Sequence, residues 1–172
     1  ISCSLVGSEM CIRDRRQAIS NLVAMRETEG SNIYGDFIKR ADLIAEKLAV
    51  IEERSPQVVE EYQIRLSDRI NELLAKHNQV IEPERLLQEV AIFADRTSIT
   101  EEIVRLKSHI KQFRLIIDAD QPVGRKLDFL IQEFNREANT IASKANDYTL
   151  AQVVVEIKAE IEKIREQIQN IE

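Results

Sequence analysis

The chain has 172 residues, 44% hydrophobic and 31% charged, with four Gly, three Pro and 5% aromatic residues, a globular composition that leans towards long helices. No apolar run approaches the ~20 residues of a membrane span and no signal-peptide pattern is present, so a cytoplasmic protein without a membrane partner is the expectation. A net charge of −6 argues against nonspecific nucleic-acid binding by the whole surface, because phosphate affinity comes from clustered Lys and Arg.

Leu5 to Asp14, LVGSEMCIRD, looks like the translation of a transposase-type sequencing-library adapter. Residues 1–15 are therefore read as a non-native tail and set aside from the fold. Both cysteines, Cys3 and Cys11, fall within it, so the authentic chain is expected to have no disulfide, thiolate metal site or thiol nucleophile. The gene is expected to have been cut at its 5′ side, leaving a fragment that lacks an N-terminal domain.

From Arg16 to Glu53 apolar residues recur at helical spacing, among them Ile19, Leu22, Val23, Phe37, Ile44, Leu48 and Ile51. Gly30 and Gly35 interrupt the pattern as close-packing positions or a loosened turn. Ser55-Pro56 predicts a helix stop and restart, with Pro56 in the first turn of a second helix reaching Lys76. Residues 16–78 would then form a long antiparallel hairpin. His77 to Glu82 reads as a connector, and Pro83 opens a third helix to about Asp95. Ser98 with Glu101 reads as a capping box before a fourth helix, whose Ile99, Ile103, Leu106, Ile110, Phe113 and Ile117 share one face while Glu102, Arg105 and His109 sit on its flank. The last helix carries Leu150, Val154, Ile157, Ile161, Ile164, Ile168 and Ile171 as an unbroken heptad seam, evidence for helix-on-helix packing within or between chains. The fold class is all-α: the hairpin, then a helical bundle over residues 79–172 ending in a coiled-coil-like helix.

Between these elements, Val123 to Asp147 forms a helix with three faces. Leu127, Leu130, Ile131, Phe134, Ala138, Ile141, Ala142 and Ala145 make an apolar stripe at roughly 100° per residue. Lys126, Glu133, Glu137, Thr140 and Lys144 share a second face that reads as an ordinary salt-bridge-laced surface. Arg125, Asp128, Gln132, Asn135, Arg136, Asn139 and Ser143 share a third, which propensity does not explain, because Asn, Asp and Ser compete for backbone hydrogen bonds. That face is either a polar interhelical network or a chance surface, or else a binding or catalytic face. His109 and Glu102 lie two turns apart, so a metal bridging them would need ligands from another helix. Asp128 with Glu133 or Glu137 supplies hard oxygen ligands, though they project in different directions. There is no Walker loop, GxGxxG, HExxH, credible Ser/His/Asp arrangement or RNA-binding module with paired aromatics.

The run VGRKLDFLIQEFNREANTIASKAND from Val123 to Asp147 resembles the YicC/YloC-type endoribonuclease family, and RETEG at Arg26 to Gly30, EEIVRLKSH at Glu101 to His109 and IREQIQNIE at Ile164 to Glu172 agree with it. The resemblance implies the C-terminal portion of a bacterial, Mn²⁺- or Mg²⁺-dependent endoribonuclease cleaving single-stranded RNA, a hydrolase assembled as a homo-oligomer, hexameric in form. It implies a pool of metal ligands from Asp128, Glu133, Glu137, Glu102 and His109, with Asp128, Glu137, His109 and Glu102 as catalytic groups. Arg105, Arg125 and Arg136 would hold phosphate, Asn135, Asn139 and Gln132 would read base edges or orient water, and Arg26 with Glu29 would join if the hairpin folds back. Ser98 stands where the family usually has Asp, which puts a metal role there in doubt. Because Glu133 and Glu137 lie on the ordinary Lys/Glu face, Asp128, Asn135, Arg136 and Asn139 are the favoured site residues. The other reading is a non-catalytic helical oligomerisation scaffold or RNA-binding adaptor.

Overall fold

The computed structural model describes residues 3–75, 83–119, 121–169 and 171, with side chains from residue 11 onward. Five helices follow one another: α1 (Cys3–Ala75), α2 (Pro83–Thr97), α3 (Thr100–Ile117), α4 (Gly124–Lys144) and α5 (Tyr148–Ile168). The class is all-α, as the periodicity requires. Among the described residues no helix is long and apolar enough to cross a membrane. The expected connector at His77 to Glu82 lies outside the described residues.

The predicted hairpin turn at Ser55-Pro56 is not formed, because α1 runs unbroken through Pro56. An interior proline removes the amide that would serve the Glu52 carbonyl and crowds that turn, at a cost of about 3 kcal/mol. Packing and charge on both sides hold the helix across it. Ile51 and Val58, before and after the proline, are buried. Arg54 donates to both oxygens of Glu61, at 2.5 and 2.9 Å, and to Asp147 at 2.9 Å. The chain reverses later: α2 returns along the end of α1, with Phe93 stacked on Tyr62 at 3.7 Å between ring centroids.

Two compact units divide the chain, residues 1–39 and 40–172. The first consists of α1 alone. Its Ile19, Leu22, Val23 and Met25 are exposed, and α1 continues through the segment read as adapter-derived, with Cys11 an exposed free thiol. Gly30 and Gly35 have open space where a Cβ would stand, so neither is a close-packing position.

In the second unit most of the core comes from four helices, with Val90 added by α2. Ala41, Ile44, Leu48 and Ile51 of α1, the Ile103, Leu106, Ile110 and Phe113 face of α3, the apolar stripe of α4 from Leu127 to Ile141 and the heptad residues Leu150 to Ile168 of α5 are all buried. Ala142, placed on the α4 stripe by its spacing, is exposed. Ion pairs fix the directions. Along α1, Arg40 meets Glu160, Lys47 meets Glu156 and Arg54 meets Asp147, in descending order on α5. Asp42 and Glu52 take Arg114 and Lys107 of α3, again reversed. With α4 packed on both α3 and α5, each helix runs antiparallel to its neighbours, an up-down-up-down bundle with α2 inserted after its first member. The heptad seam of α5 is therefore spent on packing inside the chain.

Two helix starts differ in how they are capped. Asp147 caps α5, its carboxylate accepting from the Leu150 amide at 2.9 Å. The capping box expected at Ser98 is absent: the N-cap of α3 is Ile99, with no side-chain cap bond. Ile99 is 1% exposed, and burying it moves the helix start one residue onward. Glu101 and Glu102 in the first turn complement the helix dipole instead.

Candidate metal centre

The antiparallel pairing of α3 and α4 sets Glu102, Arg105 and His109, ascending on α3, against Lys144, Glu137 and Glu133, descending on α4. The result is a polar ladder along the edge of the apolar core. Glu137 enters it because it sits seven residues after Leu130 and three after Phe134, inside the arc that α4 buries. It is 3% exposed, and Glu102 is 4% exposed; these are the buried charged residues among those described.

At the first rung Lys144 donates to Glu102 Oε1 at 2.8 Å and to the Ser98 carbonyl at 3.2 Å. Burial by itself pushes the Glu102 carboxyl upward, but the Lys144 hydrogen bond, a backbone bond and the charges of Lys144 and Arg105 outweigh it, so the group titrates below the ordinary Glu range. Glu102 Oε2 is buried without a hydrogen-bond partner. At the second rung Arg105, half-exposed and ion-paired with Glu101, brings Nη1 to 3.8 Å from Glu137 Oε1.

The third rung brings three side chains together. One ligand-type atom each from His109, Glu133 and Glu137 lies within 4.8 Å of the other two. The His109 ring is set against Phe134 at 6.3 Å between centroids, and Phe134 packs in turn on Phe113 at 6.0 Å. His109 Nδ1 is buried with no hydrogen-bond partner, a costly condition for a polar atom. An imidazole and two carboxylates are a donor set that fits a divalent metal ion. Glu133 also takes Arg136 at 3.6 Å. Beside the cluster opens a groove of about 400 Å³, lined by His109, Gln112, Arg125, Lys126, Phe129 and Glu133 among others.

Of the five residues in the implied metal pool, the structure unites His109, Glu133 and Glu137. Glu102 stands outside the cluster, held by Lys144. Asp128 also stands outside, exposed and accepting from Gln132 at 3.0 Å. The face carrying Arg125, Gln132, Arg136 and Asn139 is exposed, Asn135 is half-buried, and this face belongs to solvent rather than to an interhelical network. The face read as an ordinary salt-bridge surface is the one that turns to α3. Arg26 and Glu29 are exposed on the first unit, and the hairpin on which their joining the site rested is not formed. Spacing did not single out Lys144 or Phe129 as site residues. Phe129 had a visible signal, since it lies roughly 140° from Phe134 around the helix.

A family profile described as "Endoribonuclease YicC-like, C-terminal" matches residues 51–172, which includes all of α2 to α5. Among curated proteins the chain is similar to "Probable endoribonuclease YicC" of Clostridioides difficile, 53% identical over 155 residues, and to the protein of that name from Haemophilus influenzae, 38% identical over 154 residues. Each match takes in 90% of this chain but 53% and 52% of the relatives, so the chain spans about half the length of the curated proteins it matches. With a profile match over most of its length, including the two helices that build the cluster, the chain belongs to the YicC-like endoribonuclease family.

Proposed function

We propose that this chain carries the metal-binding and catalytic part of an endoribonuclease that hydrolyses phosphodiester bonds of single-stranded RNA, using Mn²⁺ or Mg²⁺. The observation that carries the reading is the convergence of His109, Glu133 and Glu137 from two antiparallel helices. His109, the buried Glu137 and Glu133 would hold the ion. Bound there, it would supply Lewis acidity towards the phosphate and a more acidic water. Arg105, half-exposed and next to Glu137, would exchange its exposed Glu101 partner for a non-bridging phosphate oxygen. Arg125 supplies a second cation across the groove, and Glu102 with Lys144 acts at one remove by fixing α3 against α4. The exposed Gln132, Arg136 and Asn139, with Asn135, contact more distant nucleotides.

Homo-oligomeric assembly is part of the same proposal. The α5 seam is occupied within the chain, so association uses another surface, and the exposed Ile19, Leu22, Val23 and Met25 of the first unit provide an apolar one. Sedimentation velocity of the wild type and of Leu22→Glu checks this: the variant is expected to dissociate.

The cleavage reading is tested with a fluorescent single-stranded RNA and Mn²⁺, comparing wild type, His109→Ala, Glu137→Gln and the surface control Lys158→Ala. Loss of cleavage in the first two variants, but not in the control, is expected. RNA binding with no Mn²⁺-dependent cleavage in any protein would support an RNA-binding adaptor instead.

A further inference from the structure

Phe129 is left on the surface by a helix that has room to bury its other large apolar residues. It is 65% exposed, while Leu127, Leu130, Ile131 and Phe134 of α4 are each 5% exposed or less. A single exposed aromatic is ordinary; its surroundings are not. Phe129 lines the same groove as His109 and Glu133, and Arg125 and Lys126 line it too. Among the described residues neither of these cations takes a carboxylate partner, although most others on α3 and α4 do. Arg125, Phe129 and Glu133 follow one another at intervals of four, so they rise along one strip of α4, one helical turn at a time.

An aromatic ring beside unneutralised cations is what an unstacked base and its phosphate require, since every base has a π-face and stacking is tolerant of sequence. Resting on the RNA reading above, we infer that Phe129 is a stacking platform. It seats the base of the nucleotide adjoining the scissile phosphate, while Arg125 and Lys126 hold the phosphate next along the strand. A duplex keeps its bases stacked on each other and cannot offer one to the ring. Phe129 is thus the residue that makes the site selective for single strands.

The experiment uses this chain in EDTA, which prevents cleavage, and a fluorescein-labelled single-stranded RNA oligonucleotide. A second oligonucleotide carries one 2-aminopurine, whose emission is quenched by stacking. Wild type and Phe129→Trp are expected to bind alike and to quench. Phe129→Leu, which keeps an apolar side chain at an exposed position and so keeps the fold, is expected to bind about 5- to 100-fold more weakly and to lose the quenching, with an unchanged melting temperature. Arg125→Ala is expected to weaken binding and to flatten its salt dependence while the remaining bound complex still quenches. Affinity and quenching unchanged in Phe129→Leu, or equal binding of the duplex by wild type, would overturn the platform while leaving RNA binding intact. No RNA binding by wild type would overturn the RNA reading itself, and this inference with it.

Discussion

Replacing Lys144 by Met removes the cation from a carboxylate that has nowhere else to turn. Glu102 is 4% exposed, its Oε1 accepts from Lys144 Nζ at 2.8 Å, and its Oε2 has no hydrogen-bond partner. At 2.8 Å the direct attraction is about 6 kcal/mol for an effective dielectric constant near 20, and the desolvation of Glu102 stays when the lysine goes. The carboxylate can escape by binding a proton. At pH 7, from an ordinary value of 4.5, proton uptake costs about 3.4 kcal/mol, which caps the loss. Lys144 is itself 36% exposed, so water softens the pair and about 2–3 kcal/mol is expected. The sign with pH follows. In wild type the lowered Glu102 contributes stability above its ordinary titration range and loses it as pH falls. In Lys144→Met, burial raises the group instead, so the variant recovers stability as pH falls and protonation becomes cheap. Urea unfolding at pH 7 should show a midpoint lower by about 1–1.5 M, for a slope of about 2 kcal/mol/M, and less than half that shift at pH 4.5. An equal midpoint at pH 7, or the same shift at both pH values, would refute the reasoning. Removing both charges in Glu102→Leu/Lys144→Met should restore much of the loss.

Because α1 is continuous, Pro56→Ala should raise stability by up to about 3 kcal/mol, read as a higher melting temperature; a lower one would indicate a turn at that point. Asp147→Ala should cost about 1–2 kcal/mol by removing the α5 cap, together with the Arg54 ion pair, and should show as a lower urea midpoint. The Arg54 hydrogen bonds hold Asp147 and Glu61 below their usual ranges. The stability they lend is present near neutrality and is lost as pH falls below about 4, so an acid-unfolding curve should move to higher pH in Arg54→Ala.

How far the molecule was legible depended on which physical signal each part carries. The α3 and α5 seams and most of the α4 stripe follow from burial at helical spacing alone, and most residues named from that spacing are buried, with Ile117 and Ile171 half-buried and Ala142 exposed. Pro56 misled because local chemistry says stop, whereas buried Ile51 and Val58 and the Arg54 clamp to Glu61 and Asp147 say continue. Partners 7 and 93 residues away along the chain decide it. Ser98 misled in the same way, its capping preference yielding to the burial of Ile99. The candidate centre was half-visible. A metal at His109 would need partners from another helix, and α4 places Glu133 and Glu137 beside it. Which α4 face turns inward is a tertiary fact, however. Lysines around Glu133 and Glu137 made that face look solvated, and Lys144 proves to be the partner of the buried Glu102. Poor helix formers on the opposite face drew attention to Asp128 and Asn139, which the fold leaves in solvent.

The central claim is that His109, Glu133 and Glu137 hold one divalent ion. Mn²⁺ titration followed by electron paramagnetic resonance, on wild type, His109→Ala, Glu137→Gln and Asp128→Asn, tests it most directly. One site is predicted in wild type, weakened at least about tenfold in either cluster variant and unchanged in Asp128→Asn. Binding that survives both cluster substitutions, or that disappears with Asp128, would contradict the account.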